Sequence, residues 1–168
     1  MKTLFFLMML LLGSELSAQD HRVYVFVAEE CPISIYMARP LREAVDRMGE
    51  GVAFYAVFPS SNSTEESADE FLSSYDLKDF EVMLDTDQQF TQDVGATVTP
   101  EVVILDREDK ILYRGRISNA YSKPGRMRHG KRINDLVNML RRIKAGEVID
   151  PPWLPAVGCF ITFRNTSG

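Results

Sequence analysis

The residue best placed for chemistry is Cys31, which stands between an apolar run and a segment with helical periodicity. A sulfur at the start of a helix faces unpaired N–H groups and the positive end of the helix dipole, which favour the reactive thiolate. Glu29 and Glu30 oppose this effect, because adjacent negative charge disfavours a second anion. We therefore expect Cys31 to present its sulfur to solvent at a β-to-α junction and to exchange disulfides there.

The second cysteine, Cys159, lies near the other end of the chain. It is a candidate resolving thiol, because thiol–disulfide exchange requires only that the second sulfur reach the first during the cycle. Three interpretations of the two cysteines remain open. They form a redox-active pair, or a permanent structural bridge worth roughly 4 to 5 kcal/mol in the chain-entropy model, or they stay unpaired.

The elements that position Cys31 are predicted from hydrophobic patterning. The run at 23–28 is β-branched and aromatic, as in a strand that is buried on both faces. Pro32 suits the first turn of a helix, and Pro40 should kink that helix. The predicted strands are 23–28, 52–58, 81–84, 101–106 and 110–114. Four helices are predicted: the first runs from 32 to Gly49 or Gly51, the second begins near 63, the third covers 86–94, and the fourth covers 133–143 and ends at Gly146.

The order of these elements predicts an α/β domain. Ser63 and Glu66 have the spacing of a capping box, which starts the second helix. Strands separated by helices imply right-handed parallel crossovers, whereas the last two strands form an antiparallel hairpin. We therefore expect a mixed sheet of four to five strands with helices on both faces.

Several of these segments together resemble the thioredoxin-like superfamily, and within it the redoxin group related to alkyl hydroperoxide reductase and thiol-specific antioxidant proteins. The resemblance covers most of residues 22–146 and implies a thioredoxin-like three-layer fold. The segments that carry it are VYVFVA in the first strand, Cys31-Pro32-Ile33-Ser34 at the helix start, Pro40, Val98-Thr99-Pro100-Glu101 before the hairpin, and Tyr113-Arg114-Gly115-Arg116-Ile117 at its end.

The resemblance also implies a set of site residues. The Thr99–Pro100 peptide bond is expected to be cis and to lie beside Cys31, where the backbone before the proline pairs with an extended substrate chain. Cys31 is then the attacking thiol, and Ser34 hydrogen-bonds its thiolate. Pro32, Thr99 and Pro100 are the expected substrate-binding residues.

Two departures from the related families limit the possible reactions. Ser34 stands where a dithiol oxidoreductase has its second cysteine, so no neighbouring thiol can resolve a mixed disulfide, as in monothiol glutaredoxins. Peroxiredoxins carry a threonine three residues and a proline seven residues before the reactive cysteine. This chain has Ala28 and Tyr24 at those positions, which weakens the case for peroxide reduction.

The leading hypothesis is therefore a thiol–disulfide oxidoreductase that acts on protein or small-molecule disulfides and is regenerated by an external thiol reductant. The alternatives are a peroxiredoxin-like peroxide reductase and a non-catalytic thioredoxin-fold binding module with structural cysteines. We expect no cofactor and no metal, because His21 and His129 stand at no ligand spacing with a cysteine or carboxylate. A metal site formed by Cys31 and a histidine, as in copper-handling relatives of the fold, is the remaining alternative.

The N-terminal residues are predicted to be a secretory signal peptide. A short positive start precedes the apolar run 4–12, which is followed by small and polar residues up to Ala18. The run is shorter than the ~20 residues that a spanning helix needs. We expect a signal peptide at 1–18, the domain at 19–146 and a C-terminal tail at 147–168, in a secreted or periplasmic protein without membrane contact after cleavage.

The composition excludes several classes of protein. The chain has 168 residues, of which 45% are hydrophobic and 26% charged, and it contains only 2 cysteines. These values are typical of globular domains and exclude collagen-like, low-complexity and disulfide-dense chains. Because the formal net charge is −5, the chain offers no broad attraction for phosphate backbones, and we expect no nucleic-acid partner.

Overall fold

The computed structural model describes residues 20–164, so the predicted signal peptide lies outside the described residues. The strands are β1 (His21–Phe26), β2 (Val52–Phe58), β3 (Glu81–Leu84), β4 (Val98–Thr99), β5 (Glu101–Leu105), β6 (Ile111–Gly115), β7 (Tyr121–Lys123), β8 (Arg126–Met127) and β9 (Cys159–Phe160). The helices are α1 (Pro32–Met48), α2 (Glu65–Ser74), α3 (Gln89–Val94) and α4 (Asp135–Lys144).

A five-stranded sheet in the order β3-β2-β1-β5-β6 forms the centre of the fold. Strands β1, β2 and β3 are parallel, whereas β5 is antiparallel to β1 and β6 is antiparallel to β5. Val23 pairs with Phe54 on one side and with Ile104 on the other. The mixed α/β sheet predicted from the order of strands and helices is therefore confirmed.

Helices cover both faces of the sheet, because β1 alternates its side chains between two apolar clusters. Val23 and Val25 pack in a large cluster with buried residues of α1, α2 and α4. Tyr24 and Phe26 point to the opposite face and pack in a smaller cluster with Val94 of α3. The full burial of β1 explains why its sequence is a continuous apolar run rather than an alternating one.

Helix α1 starts directly after Cys31, with Pro32 in its first turn as predicted. Its buried side chains include Met37, Leu41 and Ala44, which share the face that packs on the sheet. The helix continues through Pro40 and ends at Met48, with Gly49 as its C-cap.

The predicted capping box of the second helix is wrong by one residue. The N-cap of α2 is Thr64, whose side chain accepts a hydrogen bond from the Ser67 N–H at 3.1 Å, while the Ser67 hydroxyl accepts from the Thr64 N–H at 3.0 Å. Ser63 is instead buried, and its hydroxyl has no hydrogen-bond partner among the described residues. A serine at N3 closes the box because its side chain can reach back as a glutamate would.

Three further segments differ from the sequence prediction. The third helix begins at Gln89 rather than at 86, because Gln88 adopts a left-handed conformation with φ 64°. The region expected to be a loop contains the β7–β8 hairpin. The tail contains the strand β9, which pairs with β4. Within residues 20–164, no helix is both long enough and apolar enough to cross a membrane.

Candidate active site

The turn between β1 and α1 places Cys31 at the N-cap of the helix. The Cys31 N–H donates to the Ala28 carbonyl at 3.1 Å, and the Cys31 carbonyl accepts from the Ile35 N–H at 3.1 Å. These two bonds close the junction and fix the backbone on both sides of the cysteine. The sulfur therefore lies at the positive end of a 17-residue helix.

The loop before β5 brings a cis proline to the same point. The Thr99–Pro100 peptide bond is cis, as the resemblance implies. The Cys31 thiol donates a hydrogen bond to the Thr99 carbonyl at 3.1 Å, so the cis-proline loop is in direct contact with the cysteine. Residues 68 positions apart in the sequence thus meet across the end of the sheet.

A buried carboxylate holds this loop in place. The Glu101 side chain accepts hydrogen bonds from the Thr97 N–H at 2.8 Å and from the Val98 N–H at 3.4 Å. Burial raises the pKa of Glu101, although the Thr97 and Val98 bonds and the nearby Arg114 guanidinium oppose the rise. Arg114 lies 3.7 Å from the carboxylate and also donates to the Val94 carbonyl at 2.9 Å.

The C-terminal strand crosses the site from the other side. Strand β9 pairs antiparallel with β4, so that Cys159 stands opposite Thr99. The Sγ atoms of Cys31 and Cys159 lie 2.6 Å apart, and both cysteines are free. Gly158 permits this approach, because a Cβ at that position would collide with the Thr99 carbonyl group.

The expectation that Cys31 presents its sulfur to solvent is wrong. Cys31 is only 3% exposed and belongs to the large apolar cluster. The C-terminal strand β9 helps to bury Cys31, since it places the Cys159 sulfur directly against the Cys31 sulfur. Cys159 itself is an exposed residue, whereas Cys31 is buried.

The two thiols differ in acidity. Burial raises the pKa of Cys31, but hydrogen bonds from Cys159 and from the backbone and side chain of Ser34 outweigh burial, so the pKa of Cys31 is lowered overall. Burial and the hydrogen bond and negative charge of Cys31 raise the pKa of Cys159 to about 11. Cys31 is therefore the more acidic thiol of the pair, and Cys159 is protonated at neutral pH.

The other predicted site residues lie around this pair. Ser34 is fully buried, and its hydroxyl accepts a hydrogen bond from the Ala28 N–H at 3.3 Å. Pro32 is exposed at the start of α1. The structure therefore brings Cys31, Ser34, Thr99, Pro100 and Cys159 together, with Pro32 at the margin; their roles stay predictions.

The sequence analysis did not identify two residues that shape the site. One is Gly158, whose signal was its position directly before the second cysteine. The other is Gln88, whose side chain bonds to the segment after β9. A glutamine in a polar stretch carries no distinguishing pattern. Among the described residues, no three His, Cys, Asp or Glu side chains form a group able to hold a metal ion.

The family model named Redoxin matches residues 13–123. The chain belongs to the Redoxin family. The match covers more than half of the chain and includes Cys31 and the cis-proline loop, but it ends before Cys159. Cys159 thus lies outside the part of the chain that the family model describes. The comparison with curated proteins finds no match.

Solved structures share the thioredoxin-like fold of this redoxin. A hypothetical protein from Sinorhizobium meliloti is 22% identical with a TM-score of 0.71, over 89% of this chain and 82% of that one. An uncharacterized conserved protein from Geobacillus kaustophilus is 21% identical with a TM-score of 0.70, over 90% and 81%. A secreted disulfide oxidoreductase from Mycobacterium tuberculosis is 17% identical with a TM-score of 0.54, over 74% and 84%.

Proposed function

We propose that this redoxin-family chain is an exported thiol–disulfide oxidoreductase in which Cys31 attacks and Cys159 resolves. The observation that carries the proposal is the 2.6 Å separation of the two sulfurs beside the cis Thr99–Pro100 bond. A sulfur pair joined across a short backbone pairing can form and break a disulfide with little rearrangement of the domain.

The proposed reduction takes two exchange steps. The Cys31 thiolate attacks one sulfur of a substrate disulfide, forms a mixed disulfide and releases the other sulfur as a thiolate, which takes a proton from water. Cys159 then loses its proton to water and attacks the Cys31 sulfur, which releases the second substrate thiolate, and this thiolate also takes a proton from water. The substrate gains two electrons and two protons, and the protein is left with a Cys31–Cys159 disulfide. An external dithiol reductant reverses that oxidation.

The acidity of the two thiols suits this order of events. The pKa of Cys31 is lowered by Cys159 and by Ser34, and the Ser34 contribution favours the Cys31 thiolate in the first step even when Cys159 moves away, while the pKa of about 11 keeps Cys159 protonated. Once Cys31 is held in a mixed disulfide, its negative charge no longer raises the pKa of Cys159. The second thiol is therefore released for attack only after the first has reacted.

Export is part of the proposal. The apolar N-terminal run is typical of a secretory signal peptide. The Mycobacterium tuberculosis neighbour is described as secreted, and a thioredoxin neighbour from Streptococcus pneumoniae as an exposed lipoprotein. Outside the cytosol, protein disulfides are abundant substrates.

The deciding experiment compares the native chain with Cys31→Ser and Cys159→Ser in the reduction of insulin disulfides by a dithiol. We expect Cys31→Ser to reduce the rate to the background of the dithiol alone. We expect Cys159→Ser to accumulate a mixed disulfide between Cys31 and insulin, visible by mass spectrometry. Lys78→Ala, at an exposed position outside the site, is the control and should retain activity.

The alternatives make different predictions in the same variants. Hydrogen peroxide consumption that depends on Cys31, without insulin reduction, would indicate a peroxide reductase. If the native chain and Cys31→Ser both stay at background in insulin reduction and in hydrogen peroxide consumption, the protein is a binding module with structural cysteines.

A further inference from the structure

Gln88 has no role in the proposed chemistry, yet its side chain reaches the C-terminal tail. It is 3% exposed, its Nε2 donates to the Thr162 carbonyl at 2.9 Å, and its Oε1 accepts from the Arg164 N–H at 2.9 Å. The carbonyl of residue 162 and the N–H of residue 164 are the two groups that a neighbouring strand would use. One side-chain amide thus extends the pairing that β4 makes with β9.

The backbone around Gln88 is held in place for this contact. The Gln88 N–H donates to the Asp85 carbonyl at 2.9 Å, and its carbonyl accepts from the Gln92 N–H at 3.0 Å. The Asp85 carboxylate accepts from the Thr91 N–H at 2.7 Å and so fixes the first turn of α3. Nε2 of Gln88 also donates to the Pro59 carbonyl at 2.9 Å, which anchors the amide to the domain.

Hydrogen bonds and apolar packing both hold the tail after Cys159. Phe160 is 83% exposed and buries little surface against the domain, whereas Phe163 is 40% exposed. Ile161 packs on the smaller apolar cluster and donates its N–H to the Thr97 carbonyl at 3.0 Å. Beside the tail lies an open groove of about 440 Å³. The two bonds to Gln88 therefore help to keep this segment docked, together with the β4–β9 pairing.

The tail and a substrate need the same place. A substrate sulfur must contact the Cys31 sulfur, which is buried and already faces Cys159 at 2.6 Å. The tail must therefore leave for the first exchange step and return for the second. Leu154 stays anchored, because its carbonyl accepts from the Arg116 N–H at 3.0 Å, so the movable part begins after it.

We propose that Gln88 is a positioning residue that latches the C-terminal strand over Cys31. It sets the balance between a closed state, in which Cys159 resolves the mixed disulfide, and an open state, in which Cys31 attacks a substrate disulfide. This inference rests on the proposed function. Its signature is a pair of opposite effects, since a weaker latch speeds the first step and weakens the second.

The test measures the two steps separately in Gln88→Asn. Asparagine tolerates the left-handed backbone, but its shorter side chain withdraws the amide from the tail. In a Cys159→Ser background, we expect mixed-disulfide formation between Cys31 and insulin to become about threefold faster. With Cys159 present, we expect the equilibrium constant for the Cys31–Cys159 disulfide against glutathione to fall about threefold, because a closed state weakened about tenfold divides that factor between the two effects. Gln89→Ala, at the exposed neighbouring position, should change neither value.

A second pair of variants tests the same latch from the tail. Arg164→Pro removes the N–H that Gln88 accepts, whereas Arg164→Ala keeps that N–H. We expect the proline variant to show the same opposite shifts, by about twofold, because only one of the two bonds to Gln88 is lost, and the alanine variant to match the native chain. Because residue 164 is exposed, neither change disturbs the core.

The outcomes separate the two proposals. Opposite shifts in Gln88→Asn and Arg164→Pro support the latch. Parallel losses in both steps, or no change in either, overturn it. If native Cys31 forms no mixed disulfide with insulin, the proposed function fails instead, and the glutathione equilibrium still reports whether Gln88 holds Cys159 in place.

Discussion

At the scale of single residues, the two sulfurs of the site are unequal partners. Cys31 lies at a helix N-terminus, next to the buried Ser34, and its pKa is lowered although burial opposes this. Cys159 lies on a short strand and carries a pKa of about 11. Burial and the hydrogen bonds of each sulfur therefore make Cys31 the more acidic of the two thiols.

This inequality can be measured by titrating thiolate absorbance at 240 nm in single-cysteine variants. In Cys159→Ala, we expect the pKa of Cys31 to rise relative to the native chain, because the thiolate loses a hydrogen bond from Cys159. In Cys31→Ala, we expect the pKa of Cys159 to fall below about 11, because the negative charge and hydrogen bond of Cys31 are gone. The fall should be partial, since burial contributes most to the raised value.

The pKa of Cys31 should rise and the pKa of Cys159 should fall. A change of either pKa in the opposite direction would contradict the interaction between the two thiols. A Cys31 pKa that does not change in Cys159→Ala would show that Ser34 alone stabilises the thiolate. Ser34→Ala is the companion variant, and we expect it to raise the pKa of Cys31 as well. Circular dichroism at each pH checks that the fold is retained.

At the scale of elements, the start of α2 offers a stability test with a matched control. Thr64→Ala removes the side chain that caps the Ser67 N–H, and we expect the free energy of unfolding to fall by about 1 kcal/mol. Ser63→Ala removes a buried hydroxyl without a described partner, and we expect no loss of stability. Urea unfolding followed by circular dichroism measures both variants.

The comparison is sharp because the two residues are adjacent. A larger loss in Ser63→Ala than in Thr64→Ala would show that the helix is capped as the sequence pattern suggested. The predicted N-cap, Ser63, lies one residue before the observed N-cap, Thr64. A capping pattern does not distinguish adjacent candidates when Ser, Thr and Glu stand close together.

Strands and helices of four residues or more were predictable, whereas the two- and three-residue strands β4, β7, β8 and β9 were not. Strands β1 and β2 and helix α1 follow from continuous or periodic burial, which leaves a strong trace in the sequence. The pairing of β4 with β9 involves two residues on each strand and depends on backbone hydrogen bonds. Such bonds carry almost no side-chain pattern, so the burial of Cys31 under the tail could not be foreseen.

The same reasoning applies to the candidate site. Cys31, Ser34 and Pro100 were identified from the helix start and from the resemblance, and the structure places them together. Gln88 was not identified, because its role arises from a left-handed backbone and a contact 76 residues away. Local patterns locate a reactive side chain more readily than the distant residues that control access to it.

At the scale of the whole molecule, the oxidation state should change stability. A disulfide between Cys31 and Cys159 would close a loop across 128 positions, which the chain-entropy model values at roughly 4 to 5 kcal/mol. We expect the oxidised chain to melt roughly 10 to 20 °C above the reduced chain. Scanning calorimetry in both states measures the shift, and Cys159→Ser should show none.

The ease of reduction then separates a catalytic bond from a structural one. A bond that mild thiols reduce within the assay time supports catalysis, whereas a bond that resists them would indicate a permanent structural bridge. Equal melting temperatures in the two states would contradict the formation of the bond.

The 128 positions between the two sulfurs have a further consequence. Once joined, the cysteines would turn nearly all of the described chain into a covalent ring that enters at the start of α1 and leaves at β9. A protease cut in the exposed β7–β8 hairpin would then open the ring without releasing a fragment. The two pieces would separate on a denaturing gel only after a thiol is added.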